Sequence, residues 1–217
     1  MATLLLRLSA PMQAWGTQSH FTHRDTGREP SKSGVIGLLC AALGRPLSEP
    51  VNDLAALKMG VRVDQEGFIR QDFHTAGMGG VYKVSGGVKN DLIVSNRYYL
   101  ADAKFLVGLQ GDPALLTDLQ AALQNPVWSL FLGRKAFIPA ERVWLPDGLQ
   151  PGDLFDTLSA YPWIGSGKHP DFLRLLVDDP AGMTIRNDHP LSFASRRFLP
   201  RRITSSTIPT PIPAEEE

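Results

Sequence analysis

Leu4-Leu5-Leu6-Arg7-Leu8, then Ala10-Pro11-Met12-Gln13-Ala14-Trp15-Gly16, then Pro30-Ser31-Lys32-Ser33-Gly34 opening the apolar run Val35 to Leu43, which Gly44 closes: these first 44 residues set the fold. The first piece reads as a buried strand over Thr3–Leu8 and the last as a helix over Ser33–Leu43. Between them lies a polar loop rich in histidine and arginine (His20, His23, Arg24, Arg28). Free backbone N–H groups at a helix start, with Ser31, Lys32 and Ser33 beside them, make an expected anion site. The loop adds Trp15 and Phe21 for stacking on bases and Arg24, Arg28 and Lys32 for phosphates. The alternative is structural: Trp15 lids the core and the charges are solvated.

Working outward, Val51–Leu57 suggests a short helical turn, and Lys58–Asp64 and Phe68–His74 read as strands joined at Gln65-Glu66-Gly67. Residues 76–96 are punctuated by Gly77, Gly79, Gly80, Gly86 and Gly87, the pattern of a mobile β-hairpin. It carries Lys83 and Lys89 beside apolar Met78, Val81, Val84 and Val88, so it can fold across a single strand of RNA or meet a protein neighbour. Tyr98–Leu109 reads as one long returning strand. Pro113–Leu123 shows a helical apolar face behind an Asp112 N-cap, and Val127–Leu132 can close the sheet. The order strand, helix, strand, strand, helix, strand predicts an α+β, ferredoxin-like (RRM-like) βαββαβ core with an inserted hairpin thumb. The expected divisions are 1–139 for this RNA-binding domain, 140–204 for a small irregular C-terminal β subdomain, and 205–217 for a flexible Pro-rich acidic tail.

Formal net charge is zero, unusual for a free-standing nucleic-acid binder. The charge is uneven, however. Residues 141–191 hold eight acids against four bases, whereas 192–204 hold four arginines and no acid. A basic face can hide in such a total, and the mixture suits a subunit that meets several neighbours as well as RNA. The lone Cys40 excludes an intrachain disulfide and fits a reducing cytoplasm. No apolar run reaches the roughly 20 residues of a membrane span, and the N-terminus lacks the basic and long apolar regions of a signal peptide.

Other residues could carry chemistry. Gly133-Arg134-Lys135 and Ser195-Arg196-Arg197 put bases after small residues where backbone can approach phosphate. Trp163-Ile164-Gly165-Ser166-Gly167-Lys168 lacks the frame of a nucleotide-hydrolysing P-loop. His20, His23, His74, Tyr98 and Tyr99 supply the residue types of metal-free RNA cleavage, although His74 at a strand end is more often structural. The histidines show no metal-ligand spacing, so neither metal nor cofactor is expected.

Pro11–Gly16, Thr26-Gly27-Arg28, Pro30 and Ser33–Leu39 together resemble the CasD subunits of type I-E CRISPR surveillance complexes (Cascade), RAMP-type proteins that hold the 5′ end of the guide RNA. The resemblance continues in Asp72-Phe73-His74-Thr75, Arg97–Ala103, Leu132–Lys135 and Phe193–Arg197, in order over most of the chain. It implies a ferredoxin-like core with a thumb that wraps the guide and displaces a nucleotide. It implies a non-catalytic subunit in the prokaryotic cytoplasm, working in antiviral defence and capping the repeat-derived 5′ handle. Its partners would be the backbone subunit and the large subunit of the complex, with target DNA met only indirectly and no membrane. The expected RNA-binding residues are Gln13, Trp15, Arg24, Arg28, Ser31, Lys32, Ser33, His74, Lys83, Lys89, Arg97, Arg134, Lys135, Arg196 and Arg197. Two rivals stand beside this reading. One is a metal-free endoribonuclease that trims CRISPR repeat RNA. The other is a purely structural assembly subunit.

Overall fold

Thr3 to Leu6 are all buried because the strand they form is covered on both faces. In the computed structural model, which describes residues 1–17, 22–77, 79–83 and 85–211, the elements run β1 (Ala2–Ser9), β2 (Met12–Gln13), β3 (His23–Arg24), α1 (Lys32–Leu43), α2 (Asn52–Ala55), β4 (Lys58–Gln65), β5 (Phe68–Ala76), β6 (Val81–Tyr82), β7 (Val88–Lys89) and β8 (Ile93–Ala101). There follow β9 (Lys104–Gly111), α3 (Pro113–Gln124), β10 (Trp144–Pro151), α4 (Leu154–Ala160), β11 (Phe172–Asp178), β12 (Thr184–Ser192) and β13 (Arg197–Pro209). Seven strands make one antiparallel sheet in the order β10-β1-β9-β4-β11-β13-β12. Its first four strands, with α1 after β1 and α3 after β9, are the ferredoxin-like arrangement.

Alternation along β1 feeds two cores. Leu4, Leu6 and Leu8 join Val35, Ile36 and Leu39 of α1 and Leu116, Leu119 and Leu123 of α3 on one face. Leu5 joins Leu106, Leu154, Leu158, Leu173 and Leu175 under α4 on the other. The partnered glycines Gly60 and Gly108 seat α4: a Cβ on either would come within 2.5 and 2.7 Å of Leu158 and Leu154.

The helix ends behave as their sequences require. Ser31 caps α1 by accepting from Gly34 N–H at 3.2 Å, and Gly44 ends it in the left-handed region at φ 71°. Asp112 accepts from Ala114 and Leu115 at the start of α3.

Four expectations change. Residues 127–132 do not close the sheet. Val127 and Trp128 instead donate to Ala42 and Ala41 carbonyls, satisfying the end of α1. The closing strand is β10, whose Pro146-Asp147-Gly148 interruption hides it in the sequence and matches a register shift between Leu4 and Leu6. The long strand from Tyr98 breaks at Asp102, which sits at φ 58° between β8 and β9. The sheet also runs on through residues 144–209, so the boundary expected at 139 falls before the fourth core strand. The tail expected from 205 begins inside β13, and residues 212–217 lie outside those described.

Cys40 lies on α1, 7% exposed, with its thiol pushed up to about 11 chiefly by burial. A thiolate-seeking reagent at pH 7.5 is therefore expected to leave Cys40 unmodified until denaturant is added. Rapid labelling of the native protein, read by intact mass, would contradict that burial.

Candidate nucleic-acid interface

A second sheet stands on the core. β8 pairs with β5 over its whole length along one edge, and with β2 (antiparallel) and β3 (parallel) along the other. The small β6–β7 hairpin lies between β5 and β8 in sequence and forms the distal part of the thumb. The expected insertion at 76–96 is thus the tip of a longer β5–β8 ribbon. All of β5 is exposed.

Register decides which side chains meet. Arg97 is the partner of Asp72 on β5 and of Arg24 on β3. Tyr99 opposes Arg70, and Ser95 opposes His74. With a period of two, Arg70, Asp72, His74, Arg24, Arg97 and Tyr99 share one face. Arg134 joins them from the segment after α3: its Nη2 donates to Tyr98 O at 2.7 Å, and its guanidinium lies 5.3 Å from the Phe137 ring centroid. Phe137 in turn meets Tyr99 at 5.8 Å between centroids.

Gly133 makes this possible. It takes φ 89°, and a Cβ there would reach within 1.7 Å of Ala14 O. The 132–137 turn therefore lies directly against the β2 segment, and Ala14 N–H donates to Leu132 O at 3.1 Å.

The face is electropositive by construction. Arg134 is pushed below the usual arginine range, first by burial and then by Arg97 and Arg24, with Asp72 and Asp25 pulling the other way. The guanidiniums of Arg24, Arg97 and Arg134, held beside Asp72 and Asp25, favour an incoming phosphate. Tyr99 offers a ring nearby on the same face. His74 Nδ1 sits 3.7 Å from Asp72, and both are about half exposed.

The other expected site residues are placed differently. Gln13 is fully buried: it donates to Leu8 O and Ala103 O and accepts from the Trp15 indole at 3.1 Å. Trp15 is 2% exposed and packs against Gly34. Both are framework. The α1 start is not an open anion site. Asp188 accepts from Lys32 N–H at 2.8 Å, and Lys32 Nζ pairs with Asp178 at 3.0 Å. Arg201 bridges the same two aspartates, so the chain's own carboxylates fill the place. Ser31 is the cap, and Ser33 lies 3.5 Å from it, oxygen to oxygen.

Arg28 and Lys135 are exposed. Lys83 is exposed on the β6–β7 hairpin, and Lys89 faces Asp91 at 3.6 Å. Arg196 and Arg197 sit exposed at the β12–β13 turn, where Phe193 packs near Gly37 of α1. His20, Phe21, Met78 and Val84 lie outside the described residues. Arg70 and Phe137 were missed. The Arg70-Gln-Asp72-Phe-His74 alternation was a usable signal for the first; nothing local marks the second. Among the described residues no three His, Cys, Asp or Glu gather as a metal centre, and no helix is long and apolar enough to cross a membrane.

Residues 3–204 match the family model described as CRISPR-associated protein (Cas_Cas5). The chain is similar to CRISPR system Cascade subunit CasD of Escherichia coli (strain K12), 34% identical over 150 residues, which is 61% of this chain and 65% of that protein, just under two thirds of its length. A solved structure described as a Cas protein shares 43% identity at TM-score 0.80, covering 97% of this chain and 98% of that one. A chain of a CRISPR RNA-guided surveillance complex shares 36% identity at TM-score 0.82, covering 96% and 91%.

Proposed function

The chain belongs to the CRISPR-associated protein (Cas_Cas5) family, and on that footing we propose that it is a non-catalytic RNA-binding subunit of a CRISPR surveillance complex that caps the 5′ handle of the guide RNA. The observation that carries this is the gathering of Arg24, Arg97 and Arg134 on one face of the thumb sheet, beside Tyr99. Single-stranded RNA needs this combination: guanidiniums for the backbone and an aromatic platform for a splayed base. The thumb, with Lys83 and Lys89, lies across the strand. Exposed Ile69, Phe73, Tyr82, Val88 and Val94 give the ribbon an apolar surface for a neighbouring backbone or large subunit. Target DNA is met only through that assembly, in the prokaryotic cytoplasm.

A metal-free ribonuclease would need a base at the 2′-OH and an acid at the leaving oxygen. His74, paired with Asp72 on the arginine face, is the residue to test. Purified protein incubated with labelled repeat RNA in EDTA is expected to bind without cutting, and His74→Ala is expected to leave binding within about threefold, at the level of one lost hydrogen bond. Specific cleavage lost in His74→Ala would overturn the non-catalytic reading. Neither binding nor cleavage would favour the purely structural subunit.

A further inference from the structure

Two parts of the proposed RNA grip are tied to one arginine of the core sheet. Arg174 lies on β11, opposite Val63 of β4 and Thr207 of β13, in the interior of the seven-stranded sheet. Its Nε donates to Glu66 Oε1 at 2.8 Å and its Nη2 to Glu66 Oε2 at 3.2 Å. Glu66 is in the turn that launches β5, the outgoing strand of the thumb. The same guanidinium reaches Glu29 Oε2 at 3.4 and 3.5 Å. Glu29 directly follows Arg28 and closes the loop that carries Arg24. Its side chain is only 8% exposed, and Arg186 of β12 holds its other oxygen.

The loop is pinned at its near side too. Trp15 N–H donates to Thr26 Oγ1 at 3.0 Å, and Gly27 N–H donates to Trp15 O at 3.2 Å. The segment 26–29 that follows Arg24 is therefore held at both of its ends, by Trp15 at Thr26 and Gly27 and by the arginines at the buried Glu29. An exposed ion pair alone would hold little. A fork that joins two carboxylates, one of them buried, fixes their separation, and its removal leaves the buried Glu29 held by Arg186 alone.

We propose that Arg174 is a positioning residue for RNA binding, setting the basic loop and the root of the thumb at one spacing through Glu29 and Glu66. This rests on the RNA reading above. It touches no RNA itself.

The test is binding of labelled handle RNA by the full chain across a salt series, for Arg174→Ala, Arg174→Lys, Arg24→Ala and the Arg174→Ala/Arg24→Ala pair, with hydrogen exchange on each. Arg174→Ala is expected to weaken binding about tenfold and to flatten the salt slope by about 0.7 for each phosphate no longer held. Its effect is expected to be less than multiplicative with Arg24→Ala, because both act on the same phosphate. Exchange should rise together in 22–28 and 65–76. Arg174→Lys keeps the charge but not the fork, so it should fold as the parent does and still bind weakly. Arg174→Ala with unchanged affinity and slope, while Arg24→Ala weakens binding, overturns the proposal, as do fully multiplicative effects. Should Arg24→Ala leave binding unchanged, the RNA reading of the loop falls and takes the positioning role with it. Unchanged exchange in 22–28 would overturn the tie alone.

Discussion

Replacing Arg24, Arg97 and Arg134 together by alanine is expected to lower affinity for single-stranded handle RNA by about 100-fold or more near 150 mM salt, at roughly 1 kcal/mol or more for each charge-assisted hydrogen bond. The salt slope should flatten by about 2, from roughly 0.7 for each of three phosphates. The three residues come from β3, β8 and the 132–137 turn, and only the tertiary fold brings them together. Burial first, then Arg97 and Arg24, pushes Arg134 below the usual arginine range, so its guanidinium gains from an anion beside it. Arg142→Ala is the single-charge control: that guanidinium lies 5.3 Å from the Trp144 ring centroid, on the segment leading into β10. It should leave affinity within about threefold. A free-energy loss in the triple variant of no more than about three times the control's would mean that only overall charge matters.

The second large effect is on stability. Arg62 is 0% exposed, in the middle of β4. It forms a fork with Asp64, both bonds at 2.7 Å. Its remaining donors go to the carbonyls of Leu158, Tyr161 and Pro162. Asp64 Oδ2 also accepts from Ile164 N–H, and Trp163 donates to Asp64 O. One ion pair thus ties the end of α4 and the loop after it to the back of the sheet. Arg62→Ala strands a buried carboxylate and three carbonyls, at a cost of about 3–5 kcal/mol. For a chain of this size that is a fall in Tm of roughly 10 °C. Arg62→Met/Asp64→Leu removes the stranded charge and should recover part of the loss. A thermal melt of Arg62→Ala within about 2 °C of the parent would contradict the network's role.

The sequence made the local elements readable wherever their signals were local. β1, α1 and α3 followed from apolar period and caps, because Ser31, Gly44, Asp112 and Pro113 act within a turn of themselves. β10 did not, since Pro146 and Gly148 break its pattern at the point where the register with β1 shifts. The α1 start looked like a phosphate site for sound local reasons. What fills it is Asp188, 156 residues away, and no pattern near Lys32 reports that. Gln13 and Trp15 likewise carried plausible RNA chemistry, yet their polar atoms close on each other and on Leu8 and Ala103. Arg24, Arg97 and Arg134 were each readable as basic loop or strand residues. Their meeting depends on β3 lying parallel to β8 and on Gly133 touching Ala14, which are long-range facts.

The most direct test of the central claim is photo-crosslinking in the assembled complex, with 4-thiouridine placed through the 5′ handle of the guide and the crosslinked peptides identified by mass spectrometry. Crosslinks are expected on β8 around Arg97–Tyr99, on the 134–137 segment and on the thumb. Crosslinks confined to the start of α1 or to the β12–β13 turn at Arg196 and Arg197, with none on β8 or 134–137, would place the RNA elsewhere and contradict the account.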